Sequence, residues 1–329
     1  MSSFIFALNS VAPIIITVAI GYILKRIGLM DGEFARKANK LVFRAFLPVM
    51  LFLNIYKVES LSGFDGGYII YSVAAVGIIF LCGIPLSGLI TRDRGKRGAL
   101  LQSSFRSNYA LIGIPLAESL FGAEGAMVAT VLSAVSIPCF NILAVVSLSI
   151  FGDGDKRPSV KKILLGIVKN PLIIGVVSGL CALGIRAALS HLGIDFRLSD
   201  ISAIYKPIEY MSSLATPLAL LVLGAQFEFS AIGSLRREIS AGVLMRNLIV
   251  PALTLSVAYL CFRKSFGGAE FATLVAMFAT PVAVSSVPMA QEMGADAKLA
   301  GQLVVWTTLA SAVSVFLAVL LLDIGGAFI

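Results

Sequence analysis

Long apolar runs, each bounded by short polar or charged segments, follow one another along the chain. A helix that crosses a bilayer needs about 20 consecutive apolar residues, and counting such runs predicts ten spans. They lie near residues 4–25, 38–56, 67–91, 98–120, 125–151, 166–190, 205–226, 238–262, 268–293 and 296–322. The alternating segments of about ten residues that build a membrane barrel do not occur in the sequence. The pattern therefore predicts an all-α polytopic membrane protein with ten transmembrane helices.

Composition and charge agree with this class, because 58% of the residues are hydrophobic and only 13% are charged. The net charge is +8, but the basic residues cluster at the ends of alternate spans, so we do not expect nucleic-acid binding. Of the 26 Lys and Arg residues, 18 fall in loops on one side, six in loops on the other, and Arg106 and Arg246 lie inside spans. The positive-inside rule then predicts a multi-pass protein of the cell (inner) membrane with both termini on the extracytoplasmic side.

The chain divides into two similar halves. Residues 1–151 and 166–329 each hold five predicted spans, and a polar, turn-rich cytoplasmic linker at 152–165 joins them. Because five is odd, the second half must enter the membrane from the opposite side, as an inverted repeat of the kind found in many secondary transporters. Prolines match between the halves: Pro48 with Pro217, 169 residues later, and Pro115 with Pro288, 173 residues later.

Spans four and nine each contain a helix-breaking segment, at residues 108–115 and 281–288. A broken helix leaves backbone polar groups unpaired in the bilayer unless they face protein or a water-filled cavity. We expect the second half-helices to begin around Gly113–Pro115 and Val287–Pro288, where free N–H groups would suit an anion. The carbonyl ends of the first half-helices would suit a cation or a proton-bearing partner. The sequence therefore predicts that the two broken helices cross near the midplane and form a binding site.

Polar residues at the same depth complete the predicted site. Asn108 offers a carboxamide without a charge, Gly113 lets two backbones approach closely, and hydroxyls occur at 280, 285 and 286. Two interpretations stay open for the polar residues of spans five and ten, which either face the cavity or bond neighbouring helices. These residues are Asn141 in span five and Gln302, Thr307 and Thr308 in span ten. The candidate substrate-binding residues are Arg106, Asn108, Gly113, Pro115, Asn141, Thr280, Pro281, Ser285, Ser286, Pro288 and Gln302.

Two arginines lie inside predicted spans. Arg106 is about eight residues, roughly 12 Å at helical rise, from the cytoplasmic end of span four and two residues before Asn108. We expect Arg106 to attract or neutralise an organic anion. For Arg246 we favour the alternative that the side chain extends along the helix to the cytoplasmic interface.

Motifs of enzymes and primary pumps do not occur in the sequence. We find no phosphate-binding glycine loop and no His-Glu-x-x-His zinc pair. The four cysteines stand far apart within apolar stretches, without metal or disulfide spacing. We therefore expect no enzymatic activity, no cofactor and no bound metal.

The motifs resemble the auxin efflux carrier family, in its bacterial permease branch, over essentially the whole chain. The resemblance is carried by residues 108–116, residues 281–294 and an early stretch with Ala12-Pro13, Gly21-Tyr22, Gly28-Leu29, Asn39-Lys40-Leu41-Val42 and Phe46-Leu47-Pro48. It implies two inverted five-helix repeats, with spans 1, 2, 6 and 7 forming a scaffold that commonly dimerises. Spans 3–5 and 8–10 would form a transport unit in which broken helices four and nine cross.

The same resemblance implies a function. The substrate would be a small organic anion, such as malate, malonate or an auxin-like acid, carried by elevator-type alternating access. The acidic–basic pair that supports the site of the plant exporters has no match here, since Lys57 and Asp65 occur in the reverse order. Two alternatives stay open, a sodium-coupled symporter of the bile-acid carrier type and a membrane receptor that binds without transport. The coupling ion, if any, would be H⁺ or Na⁺.

Overall fold

The computed structural model describes residues 2–58, 66–151 and 160–328. Within these ranges the chain is all-helical and contains no β-strand, which confirms the predicted class. The helices are α1 Ser2–Arg26, α2 Gly32–Tyr56, α3 Gly66–Ile90, α4 Arg94–Phe105, α5 Tyr109–Phe151, α6 Val160–Val168, α7 Pro171–His191, α8 Ser202–Gln226, α9 Ala231–Phe262, α10 Gly268–Phe278, α11 Ser286–Glu292 and α12 Ala297–Ile324. A single 3₁₀ turn, Leu198–Asp200, precedes α8.

Seven of the described helices are long and apolar enough to cross a membrane: α2, α3, α5, α7, α8, α9 and α12. Helix α5 is not straight, because Phe121 and Gly122 leave the helical conformation and Gly122 has a φ of 59°. Its first part, 109–121, and its second part, 122–151, are therefore separate segments joined at a sharp turn. That turn lies within the loop predicted between spans four and five.

The predicted linker and sixth span differ from the structure. Residues 152–159 lie outside the described residues, as does Asp65, while the rest of the predicted linker belongs to the short helix α6. Helix α7 begins at Pro171 rather than 166, because the Asn170 carboxamide caps it by accepting from the Leu172 N–H at 2.9 Å. Asn before proline at the first helical position is a strong helix start.

Pro48 and Pro217, the first pair of matching prolines, do not break their helices. Helix α2 passes through a π-helical turn, Val42–Phe46, just before Pro48. The wider turn changes the hydrogen-bond register and so accommodates the missing N–H of the proline. Helix α8 continues through Pro217 to Gln226.

Glycines bring two helix pairs into direct backbone contact. A Cβ added at Gly21 in α1 would overlap the Leu221 carbonyl of α8, and one added at Gly224 would overlap the Val18 carbonyl of α1. At Gly175, helix α7 meets the Pro48 carbonyl of α2 in the same way. Close packing at small residues is a main source of helix association in membranes, so α1–α8 and α2–α7 form tight pairs.

Helix α10 lies in the interior of the bundle. Every residue from 271 to 280 is at most 1% exposed, and the helix packs against α5, α9 and α12. Because this helix ends at Phe278, its C-terminal end is buried, and so is the extended chain that follows it.

We predict that Gly224→Ala separates α1 from α8 and lowers the free energy of unfolding by about 1–3 kcal/mol, the usual effect of overpacking. The measurement is thermal unfolding of the purified protein in detergent. Gly77→Ala in α3 is the matched control, since an added Cβ meets nothing within 4 Å there and alanine favours a helix. Equal stability of the two variants would contradict the packing described.

Candidate functional site

The two broken helices meet at their breaks. Residues 106–108, between α4 and α5, and residues 279–285, between α10 and α11, run antiparallel with a bridge between Ser107 and Val282. The Asn108 N–H donates to the Pro281 carbonyl at 2.9 Å, and the Ala283 N–H donates to the Arg106 carbonyl at 3.2 Å. Each break therefore supplies hydrogen-bond partners for the backbone of the other. The two paired segments, 106–108 and 279–285, are called the crossing below.

The breaks lie before Pro115 and Pro288 and not at these prolines, whereas Pro281 lies within the second break. The second half-helix of span four begins at Tyr109, four residues ahead of the predicted Gly113–Pro115, and that of span nine begins at Ser286. Tyr109–Gly113 is a π-helical turn. The shifted hydrogen-bond register of such a turn accommodates the missing N–H of Pro115, which lies just inside the following helix. Pro288 falls in the first turn of α11, where an N–H has no intrahelical acceptor in any case.

Side chains from α12 satisfy further backbone groups of the extended segment 279–285. The Val282 N–H donates to the Thr307 hydroxyl at 3.2 Å, and the Ser314 hydroxyl donates to the Ala279 carbonyl at 3.1 Å. Of the interpretations left open for Thr307, bonding to a neighbouring segment is thus the one observed. A hydroxyl pair, Ser107 with Thr280 at 2.6 Å, adds a side-chain link between the two breaks.

The Arg246 side chain donates to backbone carbonyls at the C-terminal ends of α4 and α10 and just after α10. The prediction that it extends to the cytoplasmic interface is therefore wrong. The side chain is 0% exposed. The guanidinium donates to the carbonyls of Thr280 at 2.8 Å, Met277 at 3.0 Å and Ser104 at 3.4 Å. Depth along α9 could not predict this, because the direction of the side chain depends on which face of α9 packs on the crossing.

Arg106 is buried among neutral acceptors. Its guanidinium donates to Gln102 Oε1, Asn141 Oδ1 and Ser285 Oγ, each at 2.9 Å, and to Met289 Sδ at 2.6 Å. The side chain is 2% exposed. All four acceptors are uncharged, so the positive charge of Arg106 is hydrogen-bonded but not neutralised by them.

A small cavity opens beside this arginine. It has a volume of about 50 Å³, and its polar lining includes Arg106, Asn108, Asn141 and Ser285. The Asn108 amide nitrogen is buried and has no hydrogen-bond partner among the described residues. One charged and one neutral donor residue, Arg106 and Asn108, therefore line the same space, beside the N-terminal end of α5.

A larger cavity of about 650 Å³ adjoins the small one and shares with it Asn54, Asn108 and Ser285. It extends between the crossing and the helices α1, α2 and α8, where its lining includes Ser212 and Thr216. The site is therefore accessible from one side of the crossing. Asn54 was not predicted as a site residue, although an amide in an otherwise apolar span is a usable signal.

A third cavity, of about 320 Å³, lies on the other side. It is lined by the far end of α8 at Gln226, which is 14 residues beyond Ser212 and thus about 21 Å away along the helix. Gln302 belongs to this cavity and not to the crossing. Its amide nitrogen donates to the Glu228 carbonyl at 2.9 Å, and its oxygen accepts from the Trp306 indole at 3.1 Å.

The structure brings most of the predicted residues together around the two breaks, in different roles. Gly113 is a point of close approach, where a Cβ would lie 2.9 Å from the Ala276 carbonyl of α10. Thr280 and Pro281 act mainly through their backbone carbonyls, and Ser286 is buried at the start of α11 with an unpartnered hydroxyl among the described residues. The predicted residues that line the small cavity are Arg106, Asn108, Asn141 and Ser285. Pro115 lines the larger cavity, and Pro288 is buried in α11.

A buried polar centre with cavities on two sides, inside a bundle of membrane-crossing helices, is the architecture of a membrane transport protein. Residues 6–319 match the model of the family described as membrane transport protein, the auxin efflux carrier family, and the chain belongs to this family. The resemblance inferred from the sequence is confirmed.

Two archaeal relatives align over nearly their whole lengths. An uncharacterized transporter of Methanothermobacter thermautotrophicus is 25% identical over 330 residues, covering 94% of this chain and 97% of the relative. An uncharacterized transporter of Methanocaldococcus jannaschii is 26% identical over 314 residues, covering 92% of this chain and 94% of the relative. The family and both relatives are transporters.

We predict that Thr307→Val lowers the free energy of unfolding by about 1–3 kcal/mol, because it leaves the buried Val282 N–H without an acceptor. Thr308→Val is the matched control, since that hydroxyl is equally buried but, within the described residues, bonds only the Val304 carbonyl of its own helix. Thermal unfolding in detergent measures both variants. The prediction is contradicted if Thr308→Val is as destabilising as Thr307→Val.

Proposed function

We propose that the protein is a secondary transporter that carries a small organic anion across the cell membrane, with the anionic group bound beside Arg106. The observation that carries this proposal is a buried guanidinium with only neutral partners, which lines a cavity together with Asn108, whose buried amide nitrogen has no partner among the described residues.

Electrostatics favour an anion at this place. A buried charge without an opposite charge costs several kcal/mol, and charged groups inside membrane proteins commonly mark substrate pathways. A carboxylate would compensate the charge of Arg106 and accept from the Asn108 amide. The N-terminal end of α5, which begins at Tyr109, adds a favourable helix dipole. The small cavity has room for an acid group, and the adjoining 650 Å³ leaves room for the remainder of the molecule.

The ten-span inverted repeat is the arrangement we propose for the whole bundle. Span four would consist of α4 with the first part of α5, and span nine of α10 with α11. Two features support the repeat. The breaks pair with each other. In addition, α1, α2, α7 and α8 would be spans 1, 2, 6 and 7, and the symmetry that relates span 1 to span 6 and span 2 to span 7 converts the tight pair α1–α8 into the tight pair α2–α7. The distribution of basic residues supports both termini being extracytoplasmic.

Alternating access in this arrangement would follow an elevator mechanism. Helices α1, α2, α7 and α8 would form the scaffold through which two copies dimerise, and the crossing would belong to the moving unit. The larger cavity would lie between these two units, since its lining includes Leu47 and Thr216 from the proposed scaffold and Asn108 and Ser285 from the crossing. The cavity on the opposite side, near Gln302, would be the second route to the site.

The direct test is uptake of labelled malate, malonate, lactate and indole-acetate into proteoliposomes. We expect saturable flux of at least one of these acids. Saturable binding without flux would favour the receptor alternative, and neither binding nor flux of any carboxylate would contradict the proposal.

We predict that Asn141→Asp abolishes transport while maintaining or raising thermal stability. The change is nearly isosteric. It gives up the bond that Asn141 Nδ2 donates to the Ile137 carbonyl at 2.8 Å, but it places a carboxylate 2.9 Å from the Arg106 guanidinium, where it would satisfy the charge that the substrate is proposed to satisfy. Uptake and thermal unfolding are measured on the same preparation. A stable Asn141→Asp protein with wild-type flux would show that Arg106 has a purely structural role.

We predict that Asn108→Ala weakens substrate binding roughly 10- to 100-fold, the loss expected for one hydrogen bond to a charged group. Folding should be little affected, because the amide nitrogen has no partner to lose among the described residues. The measurement is the concentration dependence of uptake, with thermal unfolding as the control for folding. Unchanged half-saturation would remove Asn108 from the site.

A further inference from the structure

The carbonyl ends of the two first half-helices converge on one guanidinium. Ser104 lies in the last turn of α4, Met277 in the last turn of α10, and Thr280 in the extended segment that follows. Arg246 of α9 reaches all three carbonyls with one side chain. We propose that Arg246 is a tethered cation that replaces a mobile coupling cation at the crossing, so that the carrier works without sodium.

The ligands that Arg246 bonds are those that a sodium ion would use. In transporters with discontinuous helices, unwound backbone carbonyls and the C-terminal ends of half-helices coordinate the coupling ion. Here the three carbonyl oxygens accept N–H bonds of 2.8–3.4 Å from the guanidinium. A sodium ion and this guanidinium cannot bind the same three oxygens at the same time. Two cations placed side by side there would also repel each other strongly, because the interior has a low dielectric constant.

The position of Arg246 is fixed by the fold. It lies in a π-helical turn of α9, Met245–Ile249, and irregular turns of this kind often set functional side chains. The next residue, Asn247, donates to the Thr307 carbonyl and the Ser314 hydroxyl of α12, both at 3.2 Å. Helix α12 in turn holds the 279–285 segment, so the guanidinium and its carbonyls form one unit.

The two buried arginines have different roles in this scheme. Arg106 bonds side chains and lines a cavity, whereas Arg246 bonds backbone carbonyls and lines none of the cavities described above. The first therefore has access to a ligand that enters and leaves, and the second does not. A permanent charge that cannot exchange is suited to holding the crossing together through the transport cycle.

The inference is tested first by thermal unfolding of the purified full chain in sodium, potassium and guanidinium chloride at millimolar concentration. We expect the wild type to show the same Tm in all three salts. Arg246→Ala should have a lowered Tm that rises by a few degrees with guanidinium or with sodium, because either cation can bind the vacated carbonyls and stabilise the folded state by linkage. Potassium is the control for ionic strength.

Arg237→Ala is the matched control variant, since Arg237 also donates to a backbone carbonyl, that of Leu89 at 3.1 Å, but at the exposed surface. It should show no selective response to either cation. Arg246→Lys keeps a cation at the position and provides a second variant if Arg246→Ala does not fold; its Tm should not respond to sodium. A sodium-dependent Tm of the wild type, or an Arg246→Ala protein that responds like Arg237→Ala, would overturn the inference.

A second test measures transport, and this test rests on the proposed function. Wild-type uptake of the carboxylate identified in the screen should be equal in sodium and in potassium, and uptake that requires sodium would overturn the inference. Because the Tm measurements need no substrate, absence of carboxylate transport would count against the proposed function alone.

Discussion

The structure depends on one constraint: backbone polar groups freed in the interior of a membrane protein must find partners within the protein. Breaking two helices at 106–108 and 279–285 frees such groups at buried positions. The chain satisfies them by pairing the breaks with each other, by donating from Arg246, and by presenting hydroxyls from α12. Two demands remain after this pairing: the charge of Arg106, which has only neutral acceptors, and the Asn108 amide nitrogen, which has no partner among the described residues. Both residues line the small cavity, and this is why we place the candidate site there.

The two buried arginines differ in the groups to which they donate hydrogen bonds, and not in their depth in the bundle. Both lie deep in the bundle with exposures of 0% and 2%. Arg246 bonds carbonyls at helix ends, where the helix dipole already favours a cation. Arg106 bonds side-chain oxygens and a thioether, which satisfy its N–H groups but leave its charge in place. An organic anion is therefore expected at Arg106 and not at Arg246.

Much of this arrangement could be predicted from the sequence. Hydropathy and proline positions located both breaks to within a few residues, because proline in a long apolar run is costly whatever its surroundings. The prediction for span four was wrong by four residues because a π-helical turn moves the break ahead of Pro115. A change of helical register of this kind leaves no mark in composition. The α-helical class was predicted correctly from hydropathy, and the family from the resemblance carried by residues 108–116, residues 281–294 and the early stretch.

The face on which a side chain lies was harder to predict. Arg246 and Gln302 were both misplaced, since each position depends on how α9 and α12 rotate against the crossing. Asn54 was missed because it lies in a span that the sequence assigned to the scaffold, although it lines the cavity. Thr307 was left with two interpretations, and only the contact with Val282 decided between them. These are tertiary facts, and no local pattern contains them.

The bridge between Ser107 and Val282 also has a consequence for biogenesis. The two residues are separated by 175 positions, so a nascent chain that has inserted its first half holds a discontinuous helix whose complement has not been synthesised. In the translocon or the lipid, the Asn108 N–H and the Arg106 carbonyl lack these backbone partners until Pro281 and Ala283 have been synthesised and inserted. Assembly of the centre is therefore among the last events of synthesis, and a product truncated before the second half would expose unpaired backbone that membrane quality control can recognise.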